Sequence, residues 1–354
     1  MNNNTPTIRE ILGHLDVQRL VSQKELMRID ESLDKSDQTS KDPIYMHILL
    51  GFGAWFAALF LISFCGMSHI FEDKFLTTFF GIIFLVAAIF ITRVNKATFF
   101  SQLSLALAFS GNIMVLIGIA NGFGTHELSV IIITQAIICV IVYPFYDNAI
   151  YRFLAPTALA VLITTWIITE KVFFLIHALV TAEAFLVGTL LFYRKRPHLL
   201  TPLIYSSAIM LPITLLLMNI SQVCPWRENF DEPLWPSSIL LAGSLIYLYL
   251  HLAGGLKRLN EPWLVLAILS TILLGFFTTP GILVAIGLLV AGYTFGNRIL
   301  TVLSYLFLPC FLIVFYYALN IDLAYKSWVV AGSGVILLVI YWIVKTIQPE
   351  EVSW

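Results

Sequence analysis

Charged residues are scarce in this chain: Asp, Glu, Lys and Arg make up 12% of its 354 residues, whereas apolar residues make up 59%. A water-soluble domain of this length has no interior large enough to bury that much apolar surface, so the composition excludes an ordinary soluble domain. The formal net charge is −1, which gives no hint of a nucleic-acid partner. Lipid is therefore the expected solvent for most of the chain.

The chain also has few cysteines and lacks several familiar catalytic motifs. Cys65, Cys139 and Cys310 fall in apolar segments and Cys224 lies in a loop, so no close pair suggests a disulfide framework or a thiolate metal site. No Gly-rich phosphate loop with a Lys is present, which argues against an ATP-driven pump within this chain, and no G-x-S-x-G elbow is present either. We expect no cofactor and no metal, and an enzymatic role is not favoured.

Twelve apolar runs fill the chain from Met46 to Lys345. Each run must be helical in lipid, because an unpaired backbone amide there costs several kcal/mol. We therefore predict an all-α fold, a polytopic transmembrane bundle of about twelve helices over residues 46–345. A cytosolic N-terminal helical segment and linker (1–45) precedes it, and a short cytosolic tail (346–354) follows. The predicted crossings are 46–67, 75–92, 99–121, 128–146, 150–168, 172–193, 199–220, 237–254, 262–278, 280–296, 299–319 and 327–345.

The ninth and tenth runs are the shortest, and only Thr278–Gly281 separates them. They are either two tilted helices or one re-entrant hairpin. Both alternatives return the chain to the same side of the membrane, so the choice between them does not affect the segments that follow.

Basic residues identify the two sides of this layout. Of the 20 Lys and Arg residues, sixteen fall on the side of the N-terminus, and the other four are Lys74, Lys171, Arg227 and Lys326. The positive-inside rule therefore places both termini of a multi-pass membrane protein in the cytoplasm. Adding or omitting one crossing would reverse the side assigned to every later loop and would remove this excess of basic residues on one side. The number of crossings is therefore expected to be even.

Glu183 is the one carboxylate inside a predicted crossing, and it lies near the middle of its segment. An ionised side chain there costs at least ~2.5–3.5 kcal/mol, so it should face protein or water, or carry a proton. It is either a proton or cation site or a neutral carboxyl bonded across a helix interface. His177 lies six residues earlier, about 9 Å along the axis and about 120° around it, so a direct pair is not expected.

Three amide side chains lie in the third and fourth segments. Gln102 and Asn112 are on the third and Gln135 is on the fourth. Asn112 and Gln135 should lie at similar depth, where an amide pair would stabilise the packing by about 1 kcal/mol. The alternative is a polar path for a substrate.

Small residues and prolines mark several helix interfaces. Small residues recur at a spacing of four in Gly287/Ala291 and Gly292/Gly296, which permits close helix contact. Pro212 interrupts the seventh segment and removes one backbone hydrogen bond there. These signals concern packing and assign no activity.

Two stretches resemble a bacterial family called domain of unknown function 4401. The first crossing carries W-x-x-A-L-F-L at 55–61, and a later one opens with F-x-x-Q-L-x-L-A at 99–106. The resemblance implies a polytopic architecture throughout, located in the bacterial inner membrane, and no reaction. It also implies a shared membrane assembly, because genes of this family commonly neighbour those of a related multi-pass family and of one named for a GDYXXLXXXP motif. That motif is not in this chain.

Two functions are compatible with these features. A subunit of a membrane protein complex, with the bilayer and other multi-pass proteins as partners, is favoured by the small number of polar residues inside the crossings. A proton-linked secondary transporter of a small solute is the alternative, and it is favoured by twelve helices around one central acid.

Overall fold

A computed structural model describes residues 44–68, 70–94, 98–123, 128–192, 199–223, 233–255 and 261–318, with six single positions between 322 and 331. These residues form eleven α-helices and one 3-10 turn (Ile70–Glu72), with no strand among them. The helices are α1 Ile44–Met67, α2 Lys74–Val94, α3 Thr98–Phe123, α4 Leu128–Phe145, α5 Ala149–Thr169, α6 Phe174–Phe192, α7 Thr201–Val223, α8 Trp235–Leu252, α9 Pro262–Phe277, α10 Pro280–Thr294 and α11 Arg298–Ala318.

These eleven helices coincide with the first eleven predicted crossings to within a few residues at each end. Eight of them are long and apolar enough to cross a bilayer. The predicted twelfth crossing falls almost wholly outside the described residues, as does the predicted N-terminal segment. The all-helical membrane architecture is thus confirmed, and the total of about twelve helices stays a prediction.

The ninth and tenth runs form two separate helices, α9 and α10, of 16 and 15 residues. Each begins with a proline, which is favourable because the first-turn N–H that proline lacks has no partner within a helix. At 1.5 Å per residue they are about 24 and 23 Å long, shorter than a hydrocarbon core of about 30 Å. Most residues of α10 are buried, whereas α9 buries only Leu264 and Thr271.

The chain divides into two compact units near Gly118, with unit 1 before that residue and unit 2 after it. In unit 1, α2 and α3 approach each other through glycine. A Cβ added to Gly111 would lie 2.7 Å from the carbonyl oxygen of Gly81, and one added to Gly118 would collide with Thr78. At the other end of the pair, the Thr92 hydroxyl donates to Ser104 at 2.9 Å. Contacts at Ser104, Gly111 and Gly118 recur every seven residues, so the two helices form a regular antiparallel interface.

Unit 2 is organised around α7, which packs against α5, α6, α10 and α11. Its buried side chains include four polar ones, Ser206, Ser207, Thr214 and Asn219. Pro212 lies inside this helix, which continues through it. The main apolar core of unit 2 also draws on α5, α6, α8, α10 and α11.

A buried arginine fixes the turn between α4 and α5. Asn148 caps α5 by accepting from the backbone N–H groups of Ile150 and Tyr151. Arg152, in the first turn of α5, pairs with Asp147 at 2.5 Å and donates from Nε to the carbonyl of Tyr143 at 3.1 Å. A helix exposes unpaired carbonyls and partial negative charge at its C-terminus, so this guanidinium stabilises the end of α4.

Candidate functional site

Glu183 lies in the buried face of α6, within unit 2. The residues that flank it along this face are Val180 and Val187, both buried, and Glu183 itself is only 4% exposed. Neither carboxylate oxygen has a hydrogen-bond partner among the described residues. A charge at such a position is costly without a partner, which is why intramembrane acids are frequently functional.

His177 is bound to a neighbouring helix. Its Nδ1 lies 2.6 Å from the hydroxyl of Ser237, which is buried in the first turn of α8. The backbone carbonyl of His177 accepts from Thr181, one turn further along α6. This geometry gives His177 a role in joining α6 to α8.

Gln135 joins α4 to α5. Its Nε2 donates to the carbonyl of Ala155 at 3.2 Å and lies 3.6 Å from the sulfur of Cys139, while its Oε1 has no partner among the described residues. This is the interhelical role expected of a buried amide, with a backbone carbonyl as the acceptor.

The other two amides belong to unit 1. Asn112 is buried on α3, and its Oδ1 has no partner among the described residues. Gln102 is half-buried near the start of the same helix. The pairing of Asn112 with Gln135 stays a prediction, because the two residues belong to different units.

A pocket of ≈ 80 Å³, partly open at the protein surface, lies between α6, α8 and α10, with one residue of α7 in its wall. We call it the α6–α8–α10 chamber. On each of the three helices its lining residues recur at spacings of four and three, so one face of each helix forms the wall. The wall consists of Ala184, Val187, Gly188 and Leu191 of α6, Leu241, Ser244, Leu245 and Leu248 of α8, and Leu283, Val284, Gly287, Leu288 and Ala291 of α10.

Contacts beyond both ends of this wall show that the three helices run parallel. The His177–Ser237 hydrogen bond joins the first turns of α6 and α8. At the opposite ends, the ring of Phe192 lies 4.0 Å from that of His251 and 5.6 Å from that of Phe295, between ring centroids. The chamber therefore lies between a histidine–serine pair on one side and an aromatic cluster on the other.

Glu183 is next to this chamber but is not part of its wall. Ala184 follows it directly, and Val187, one turn further on the same face, lines the chamber. Ser244 supplies the one side-chain hydroxyl among the lining residues, and it donates to the carbonyl of Leu240 in its own helix at 2.9 Å. The chamber is thus apolar, with a carboxyl beside it.

The chamber was not predicted from the sequence, although part of its pattern was visible. Gly287 and Ala291, noted as a small-residue pair, are both in its wall. Gly292 instead contacts Thr301 of α11, and Gly296 lies past the end of α10 with a φ of 62°. A further signal was the seven-residue spacing of Ser237, Ser244 and His251 along α8, which places the three on one helix face.

Comparison with known proteins gives one match. The family model described as "Domain of unknown function (DUF4401)" matches residues 43–347. No curated protein matches the chain, and no solved structure matches it.

Proposed function

The chain belongs to the DUF4401 family, and from that premise we propose that this membrane protein acts as a subunit of a membrane protein complex. The interior of unit 2 carries the proposal, because several of its buried polar side chains form hydrogen bonds between helices. Thr157 bonds Ser206 at 2.9 Å, and Ser304 donates to the carbonyl of Ala285 at 2.7 Å. Such pairs use these polar side chains to join helices to one another.

The character of the chamber supports the same proposal. A solute path normally needs several polar groups that face one cavity. The chamber wall offers one hydroxyl, and that hydroxyl is already bonded to its own helix. A bundle with such an interior is better suited to packing against other membrane proteins than to moving polar solutes.

Purification from the native membrane tests the subunit role. The tagged chain is extracted in a mild detergent, and its mass is compared with that of one 39.8 kDa chain plus detergent. We expect a larger particle in which other multi-pass proteins are present in a fixed ratio across independent preparations. A tagged unrelated multi-pass protein serves as the control for adventitious capture. A particle with the mass of one chain plus detergent, and with no co-purifying protein, contradicts the proposal.

A second candidate, a proton-linked secondary transporter, is favoured by one observation. Glu183 is buried beside the chamber, and its two oxygens lack partners among the described residues. A carboxyl in this situation can take up and release a proton if water reaches it, which is the usual role of acids in proton-coupled carriers.

Proton flux into proteoliposomes tests this candidate. Solutes of different classes are added outside vesicles that contain a pH-sensitive dye, and solute-dependent proton entry is recorded. We expect Glu183→Gln to abolish such entry, whereas Glu170→Gln, which changes an exposed carboxyl at the end of α5, retains it. Equal fluxes for Glu183→Gln and the unsubstituted protein remove Glu183 from the mechanism. If no class of solute produces proton entry, the transporter candidate is rejected.

A further inference from the structure

The walls of the α6–α8–α10 chamber are unsuited to water. A buried water needs two to four polar partners, and empty apolar cavities stay dry. The lining offers the hydroxyl of Ser244, which already donates to Leu240. The occupant that such a space stabilises is therefore apolar.

The size of the chamber excludes a helix as the occupant. An α-helix with its side chains is about 10–12 Å in diameter, far wider than a cavity of ≈ 80 Å³. The lined stretch from Ala184 to Leu191 rises about 10 Å along α6, so the space is long and narrow. A flexible unbranched chain fits this shape, and a bilayer surrounds the protein with molecules of that kind.

Glycine creates the space. A Cβ added to Gly188 would find no atom within 4 Å, and one added to Gly287 would find Leu245 at 3.6 Å. An unfilled void deprives the atoms around it of van der Waals contacts, which an inserted chain restores. The absent side chains of these two glycines leave room that another molecule can fill.

We propose that the α6–α8–α10 chamber binds the hydrocarbon chain of a membrane lipid. The chain lies along the three parallel helices, against Gly188 and Gly287, between the His177–Ser237 pair and the ring of Phe192. The site is independent of the subunit role, since it needs no other protein. It is also independent of proton transfer by Glu183, which is outside the wall.

Photolabelling tests this site. The full chain is reconstituted in phosphatidylcholine bilayers that contain a small fraction of lipid with a diazirine midway along one acyl chain. After illumination, the labelled residues are mapped by mass spectrometry. We expect labels on the chamber faces of α6, α8 and α10 to exceed those on the lipid-facing side of α8. We expect Gly188→Leu, which fills the space, to reduce chamber labelling by about fivefold or more, the effect of a modest loss of affinity.

The matched control is Gly243→Leu. Gly243 lies on α8, is exposed, and has no atom within 4 Å of an added Cβ, so the same change there should leave chamber labelling unaltered. Gly287→Val provides a second filling variant, and each variant must elute and melt as the unsubstituted protein does to be scored. Chamber labelling no higher than that around Gly243, or labelling that persists in the filled variants, overturns the proposal. The complex and proton-flux experiments are unaffected by either result.

Discussion

The α2–α3 pair and the α6–α8–α10 chamber use glycine in opposite ways. At Gly111 the backbone of α2 comes so close that an added Cβ would lie 2.7 Å from a carbonyl oxygen, whereas at Gly188 it would meet nothing within 4 Å. The first glycine lets two helices touch, and the second leaves room between helices. Lipid gives helices no hydrophobic drive to associate, so close contact and interhelical hydrogen bonds must hold them together.

Helix α10 combines both uses along its length. A Cβ at Gly281 would collide with the ring of Phe311, and one at Gly292 would collide with Thr301, so α11 covers both glycines. Gly287, between them in sequence, lines the chamber instead. Glycine therefore permits close contact with α11 on one face of α10 and leaves open space in the chamber on another.

The largest effect that this comparison predicts is at Gly111. Gly111→Ala inserts a methyl group against the backbone of α2, and such overpacking costs ~1–3 kcal/mol. The free energy of unfolding in mixed micelles, measured by SDS titration, should fall by that amount. The control is Gly53→Ala, since an added Cβ at Gly53 meets nothing within 4 Å. An equal result for the two variants would mean that α2 and α3 are not in close contact.

An intermediate effect is expected where unit 2 joins its helices by hydrogen bonds. The Thr157–Ser206 bond links α5 to α7, and such bonds in membranes average ~0.6 kcal/mol with a maximum near 1.7. A double-mutant cycle with Thr157→Val and Ser206→Ala should give a coupling energy in this range. The cycle of Thr165→Val with Ser206→Ala should give none, because Thr165 bonds its own helix at Val161 and is exposed. Equal coupling in both cycles would contradict the α5–α7 contact.

The smallest effect is expected at Gly188. Gly188→Ala adds a methyl group to open space in the chamber, so it should change the free energy of unfolding by less than about 0.5 kcal/mol. A loss comparable to that of Gly111→Ala would show that the chamber is closed in the bilayer. The same SDS titration measures both variants, which makes the two glycines directly comparable.

Helix positions were predictable from the sequence because apolar runs must be helical in lipid, and eleven predicted runs coincide with described helices. Partners were much less predictable. Gln135 donates to the carbonyl of Ala155, a backbone acceptor that the spacing of side chains does not indicate, and its predicted pairing with Asn112 stays a prediction. Helical periodicity places a side chain on a face of its own helix, but the neighbour of that face depends on tertiary packing.

Glu183 illustrates the same limit within the candidate site. Its burial near the middle of a helix was predictable from its place in an apolar run. The chamber beside it required α8 and α10, which follow some 50 and 100 residues later in the sequence. Nothing in the residue spacing of α6 indicates that two distant helices will line one space with it.

The buried arginine of the α4–α5 turn has a consequence for how the protein meets the lipid surface. A basic residue at a helix end helps to orient a chain when it is inserted into the membrane. In the folded protein, each of the three guanidinium nitrogens of Arg152 is engaged, by Asp147, Tyr143 and Pro144. Part of the hydrogen-bonding capacity of this guanidinium is thus used to hold the α4–α5 turn, which leaves fewer of its N–H donors for anionic lipid headgroups.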